Sequence, residues 1–200
     1  GFVAMLFVII LSKGLPAFTQ AAVQLDVTFD PQIVEVAQKP VQAEGQSPAE
    51  YQRALLDWQR EVTLVNWNRV IENAIREAAP DFEIQARQAL SIVETSERFR
   101  LRDMFVANPD LLGQRVSLSM LGSANVDNWL KGTINRDLPD SQQQLSAPAR
   151  ALADRFMEEG RITFPFAWHI FTNVDSRSAP ASAGLAGAFV GSLYMMLVVI

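Results

Sequence analysis

Gly184–Ile200 reads GLAGAFVGSLYMMLVVI, seventeen residues without a charge, and its reading decides between a membrane-anchored chain and a water-exposed one. As a helix rising about 1.5 Å per residue it would cover about 26 Å, close to the roughly 30 Å hydrocarbon core of a bilayer. A water-exposed helix of that length needs a polar face, and this one offers only Ser192 and the Tyr194 hydroxyl. Gly184, Gly187 and Gly191 fall at spacings that let two helices approach closely in lipid, and so mark a candidate packing face.

Working outward, the opposite end is apolar too: Gly1–Leu11 reads GFVAMLFVIIL, and the first charge is Lys13. A secretory leader would carry a basic start and a small-residue cleavage site, and Ser12-Lys13-Gly14-Leu15-Pro16 supplies a poor one. A buried core helix is the alternative for a run of that length. The expectation is therefore a fragment of a longer bacterial inner-membrane protein. Residues 1–12 end one transmembrane helix, residues 13–182 form an extracytoplasmic domain with its linker, and residues 183–200 begin a second transmembrane helix.

All charge lies between Lys13 and Arg177, and the net value is −5. That segment has the length of one domain. Cysteine is absent, so no disulfide, thiolate-metal or thiol redox chemistry is open to the chain. Val23–Phe29 (VQLDVTF) alternates as a half-buried strand does, and Ile33–Val36 continues an extended pattern after Asp30-Pro31. Ser47-Pro48-Ala49-Glu50 has the form of a capping box with proline at the first helical position. The helix it opens carries Leu55, Trp58, Val62 and Val65, shifts phase near Asn66–Asn68, and ends before Pro80; Trp58 and Trp67 read as core anchors. Residues 82–93 read as a second helix and 97–106 as ambiguous. Val116–Met120 suggests a strand, 125–130 a short helix, and 147–159 a helix with Leu152 and Phe156 inward, closed by Gly160. Residues 161–171 read as extended, and 172–182 as a polar linker. The mix predicts an α+β domain.

Motifs of catalysis are missing. There is no G-x-x-x-x-G-K-[ST], no H-E-x-x-H and no G-x-S-x-G, and the one histidine, His169, sits beside Trp168 among apolar residues. The expectation is a protein that is not itself an enzyme, with no catalytic residues, no metal and no cofactor, and no partnership with nucleic acid. One charged stretch is less ordinary. Glu97-Arg98-Phe99-Arg100-Leu101-Arg102-Asp103 alternates, and as a strand it would set Arg98, Arg100 and Arg102 on one face, opposite Phe99 and Leu101. Three guanidinium groups in a row are a candidate contact for an anion or an acidic partner. The plainer reading is a solvated face neutralised by Glu94, Glu97 and Asp103.

The chain also resembles a known family. Ser12–Gln20 with Leu25–Asp30, then Leu101-Arg102-Asp103-Met104 and Asn108-Pro109 through Gly113-Gln114, are similar to the N-terminal part of a PstA-type phosphate ABC transporter permease. The resemblance continues in Leu130-Lys131-Gly132 with Arg136-Asp137 and Pro139, then Glu159-Gly160-Arg161-Ile162, Trp168, Phe171-Thr172, Asp175-Ser176-Arg177 and the run from Ala183 to Ser192. It touches most of the chain, residues 37–62 excepted. The subgroup it points to carries a large domain of unknown function between its first two transmembrane helices. The resemblance implies a membrane-spanning subunit that pairs with a second permease subunit, with two cytoplasmic ATPase subunits that power transport through parts absent here, and with a periplasmic phosphate-binding protein. It implies a periplasmic position for residues 13–182, which would dock or gate with the binding protein or the partner permease. A domain of net charge −5 is a poor funnel for phosphate, which is also an anion, and charges beyond a Debye length of about 8 Å are largely screened in any case. The alternative is the extracytoplasmic sensor domain of a two-helix membrane receptor.

Overall fold

A computed structural model of the chain describes residues 4–6, 8, 9, 14, 18–166, 195 and 196. The elements follow in the order β1 (Ala22–Thr28), α1 (Pro48–Leu64), α2 (Trp67–Ala78), α3 (Ala86–Leu90), α4 (Glu97–Ala107), β2 (Arg115–Leu121), α5 (Ala124–Leu130), α6 (Ala147–Glu158) and β3 (Ile162–Thr163). The three strands form a sheet in the order β2-β1-β3. The chain makes two compact units: an aromatic unit of residues 25–86 and 97–118, and a terminal unit of residues 1–24, 87–96 and 119–200.

The aromatic unit is built on the alternation of β1. Leu25, Val27 and Phe29 are buried, while Asp26 and Thr28 are half-exposed. Phe29 donates its backbone N–H to Gln114 and accepts from Gly113, which fixes β2 beside it. The expected extension over Ile33–Val36 is instead a turn. Asp30 accepts from the backbone of Gln32 through its side chain and from Ile33 and Val34 through its carbonyl, so the chain curls and buries Val34. The capping box at Ser47 forms, with Glu50 N–H donating to Ser47 Oγ at 3.3 Å and Ser47 N–H to Glu50 Oε2 at 3.1 Å. The phase shift foreseen near Asn66–Asn68 is a break between two helices: α1 stops at Leu64, and the Asn66 side chain caps α2 by accepting from Arg69 N–H at 3.2 Å. Val70, Ile71, Ala74 and Ile75 then bury one stripe of α2.

At the centre of this unit four rings meet. Phe105 lies 6.2 Å from Phe29, 6.3 Å from Trp58 and 5.8 Å from Trp67, and Phe29 meets Trp67 edge-on at 6.3 Å. Such pairs add about 0.5–1.5 kcal/mol each beyond the area they bury. Both indoles find backbone acceptors, Trp58 on Ala37 at 2.9 Å and Trp67 on Val62 at 3.0 Å, so neither indole donor is left unpaired.

In the terminal unit β3 pairs antiparallel with the start of β1, Ala22 opposite Thr163 and Val23 opposite Ile162. Gly122 N–H donates to Ala21 O at 2.7 Å. A Cβ at Gly122 would stand 2.9 Å from the Ala21 Cβ and 3.0 Å from its carbonyl oxygen, so only glycine fits this crossing. Residues 82–93 do not form one helix. Only Ala86–Leu90 is helical, because Val93 is drawn into a bridge with Gly122, and Glu94 N–H donates to Leu121 O at 2.8 Å. α6 buries Ala149, Leu152, Ala153 and Phe156 and closes at Gly160, whose φ of 72° suits a left-handed cap.

The expected fold class, an α+β extracytoplasmic domain flanked by two transmembrane helices, needs correction. Among the described residues no helix is long and apolar enough to cross a membrane. The longest, α1, has 17 residues and carries Glu50, Arg53, Asp57, Arg60 and Glu61, so it is amphipathic and buries only Trp58 and Val62. What the described residues form is α+β with a three-stranded sheet. Of the terminal stretches on which the membrane reading rested, only residues 4–6, 8, 9, 195 and 196 are described, and Gly184, Gly187, Gly191, Trp168 and His169 lie outside the described residues.

Candidate interaction surface

Residues 97–107, ambiguous in sequence, are helical as α4. Helical geometry turns each residue about 100° from the last, so Arg98, Arg100 and Arg102 do not line one strand face. Glu97, Leu101 and Phe105 form the buried stripe. Arg100 donates to Glu97 at 2.7 Å, one helical turn back, and Arg102 pairs with its neighbour Asp103 at 2.7 Å. Arg98 has no carboxylate partner among the described residues, and its Nε is buried without a hydrogen bond.

Helix geometry also moves Phe99. The strand reading set it opposite the arginines, whereas the helix leaves it 46% exposed with guanidinium groups against its ring, Arg98 at 4.5 Å and Arg102 at 5.4 Å. This residue was missed in sequence. The signal that finds it is the i, i+4, i+8 spacing of Glu97, Leu101 and Phe105, which defines an inner stripe that Phe99 does not join.

Two grooves open on the aromatic unit. One, of about 600 Å³, is lined by Val36–Lys39 and Val41 together with Phe105, Pro109, Asp110 and Leu112. Its cation is already engaged: Lys39 donates to Val106 O at 3.3 Å and lies 5.5 Å above the Trp58 ring. The other, of about 460 Å³, lies at the end of α2 between Arg76, Glu77, Pro80 and Phe82. Neither gathers a set of convergent polar groups of the kind that orients a small ligand.

In the terminal unit the charged groups are spent on structure. Trp129 donates its indole hydrogen bond to Asp154 at 3.0 Å, and Arg136 binds the same carboxylate at 3.2 Å while its guanidinium covers the Trp129 ring at 4.3 Å. Arg150 approaches that ring at 5.3 Å, donates to Leu145 O at 2.7 Å and pairs with Asp140. Asp127 accepts from Ala21 N–H at 2.8 Å and pairs with Lys131 at 2.8 Å, which also donates to Thr19 O. Glu159, at the surface, has its carboxyl held below the ordinary range, first by the hydrogen bond from Arg155 and then by Arg161. Among the described residues no three His, Asp or Glu side chains gather as a metal site would require.

These features define an α+β protein with an exposed aromatic ring dressed by arginines, residue types enriched where proteins meet. Residues 1–140 match the family described as a domain of unknown function, DUF3333, and the chain belongs to that family. No curated protein matches it, and no solved structure does.

Proposed function

We propose that the chain is the N-terminal part of the permease subunit of a phosphate importer of the ABC type, in the bacterial inner membrane. In this reading the α+β domain faces the periplasm and docks or gates against the phosphate-binding protein or the partner permease. Separate ATPase subunits power transport, and the domain itself carries no catalytic step.

The observation behind the transporter reading is where the resembling residues fall. Gly113, Gly132 and Gly160 each have φ between 71° and 76°. Arg136 holds the Asp154 carboxylate. Leu101 is fully buried in α4, and Arg161 O accepts from Gln24 N–H at 2.7 Å beside the pairing of β1 with β3. Several of the similar residues are thus ones that the fold constrains, which supports common architecture and assigns no transport residue. The docking role rests on Phe99. Its two guanidinium neighbours leave it half in water, and a ring so placed gains most by entering a partner's surface.

The experiment replaces residues 23–175 with a flexible linker in the whole protein and measures phosphate uptake. The expected result is lost or strongly reduced uptake while the shortened subunit still reaches the membrane and assembles. Uptake at the normal rate in an assembled complex would overturn the docking or gating role.

A further inference from the structure

We propose that residues 35–42 are a lid on the aromatic unit, latched by Trp58 and Lys39, which lifts while α1, α2 and α4 stay folded. The inference does not depend on the function proposed above.

Two anchors bound the segment. Before it, Val34 is buried and donates its N–H to Asp30 O at 2.8 Å. After it, Ala43 and Gln46 close a turn on each other: Gln46 N–H donates to Ala43 O at 3.1 Å, and Ala43 N–H to Gln46 Oε1 at 3.1 Å. Gly45 takes a φ of 81° there, and the capping box at Ser47 follows. Between the anchors the chain forms no helix or strand, and only Val36 and Pro40 are even half-buried. Pro40 has no N–H to give to a neighbouring strand. Among the described residues no backbone–backbone hydrogen bond joins residues 37–42 to another element. Two side-chain hydrogen bonds do so instead: Trp58 donates to Ala37 O at 2.9 Å, and Lys39 to Val106 O at 3.3 Å. The Lys39 ammonium also lies 5.5 Å from the centre of the Trp58 ring. A segment held by so few contacts opens at a free energy well below that of the unit as a whole.

Opening has a defined consequence. Val36–Lys39 and Val41 share the lining of the groove of about 600 Å³ with Phe105, which is 1% exposed. Trp58 is 3% exposed, and two of the groups against it, the Ala37 carbonyl and the Lys39 ammonium, belong to the lid. Lifting the lid therefore bares the Trp58 indole and removes part of the wall that the groove shares with Phe105. The open state exchanges the Ala37 carbonyl for water at the Trp58 N–H and gives up the cation–ring contact, so closure is favoured by a small margin. Trp67 supplies a reference in the same cluster: it is 5% exposed, and its acceptor, Val62 O, lies outside the lid.

The test is hydrogen exchange of the two indole N–H groups in the intact chain, followed by NMR. Trp58 is expected to exchange at least about 100-fold faster than Trp67, because its bond breaks when the lid lifts and that of Trp67 only when the helices part. Lys39→Met is expected to speed exchange at Trp58 by about 5-fold, the worth of one hydrogen bond with a cation–ring contact, and to leave Trp67 unchanged. The unchanged Trp67 rate shows that the fold is intact. Equal rates for the two indoles in the unaltered protein would overturn the lid. So would a Lys39→Met protein in which Trp58 is not accelerated, or in which both indoles are accelerated equally.

Discussion

Trp67 in the aromatic unit and Trp129 in the terminal unit are buried almost equally, 5% and 6% exposed, and each donates one indole hydrogen bond of 3.0 Å. Their acceptors differ. Trp67 uses the carbonyl of Val62, five residues back, whereas Trp129 uses the carboxylate of Asp154, which also holds Arg136. A backbone carbonyl comes with the helix break between α1 and α2 and cannot be removed by substitution. A carboxylate can be removed, and two groups lose their partner with it. The aromatic unit therefore resists polar changes and is sensitive to volume, while the terminal unit is sensitive to single charges.

The largest effect is expected where the four rings meet. Phe105→Ala removes the ring common to three of the pairs and leaves a cavity under α4, costing about 3–5 kcal/mol; chemical denaturation of the intact protein measures it. A loss below about 1 kcal/mol would mean that the cluster does not hold the unit. In the terminal unit, Asp154→Ala strands the Trp129 indole and Arg136, at a cost of about 1–3 kcal/mol, whereas Asp154→Asn keeps an acceptor for the indole and is expected to cost less. Equal losses in the two variants would show that charge, and not the indole bond, dominates there.

A smaller change is expected at the start of α1. Ser47→Ala removes the cap and costs about 1 kcal/mol, read as a lower melting temperature. Glu50, the other half of the box, is fully exposed, and its carboxyl is held below the ordinary range by the Ser47 hydroxyl and then by the Ser47 backbone. A depressed carboxylate stabilises the fold at pH values above its unfolded pKa, and that contribution is lost as pH falls through the folded value. NMR titration is expected to show Glu50 protonating at lower pH than a free glutamate, and closer to the ordinary value in Ser47→Ala, where only the backbone N–H at position 47 still donates to it. The smallest effect is expected from Phe99→Ala, whose stability should stay within about 0.5 kcal/mol of the unaltered protein, a sixth or less of the Phe105→Ala loss on the same helix.

Much of this arrangement was legible in the residues. The alternation of Val23–Phe29, the capping box at Ser47 and the cap at Gly160 are local, and local chemistry decided them. Trp58 and Trp67 belong to the core, as the sequence suggested. Residues 97–107 were illegible because arginine recurs at every second position while Leu101 and Phe105 recur at every fourth, so the charges mimic a strand and the buried stripe defines a helix. Residues 82–93 misled for another reason: periodicity favoured a helix, and the pairing of Val93 with Gly122, distant in sequence, took half of it away. The arginines were recognisable as a candidate contact, but Phe99 at their centre was not, since its exposure depends on helical geometry. The terminal apolar runs that suggested membrane helices lie largely outside the described residues, among which no helix is long and apolar enough to cross a membrane.

The most direct test places a photoreactive amino acid at position 99 in the intact chain and irradiates living cells importing phosphate. The account expects an adduct with the phosphate-binding protein or the partner permease, absent when the probe stands at position 53. An adduct of equal yield from position 53, or none from position 99 in cells that import phosphate normally, would contradict it.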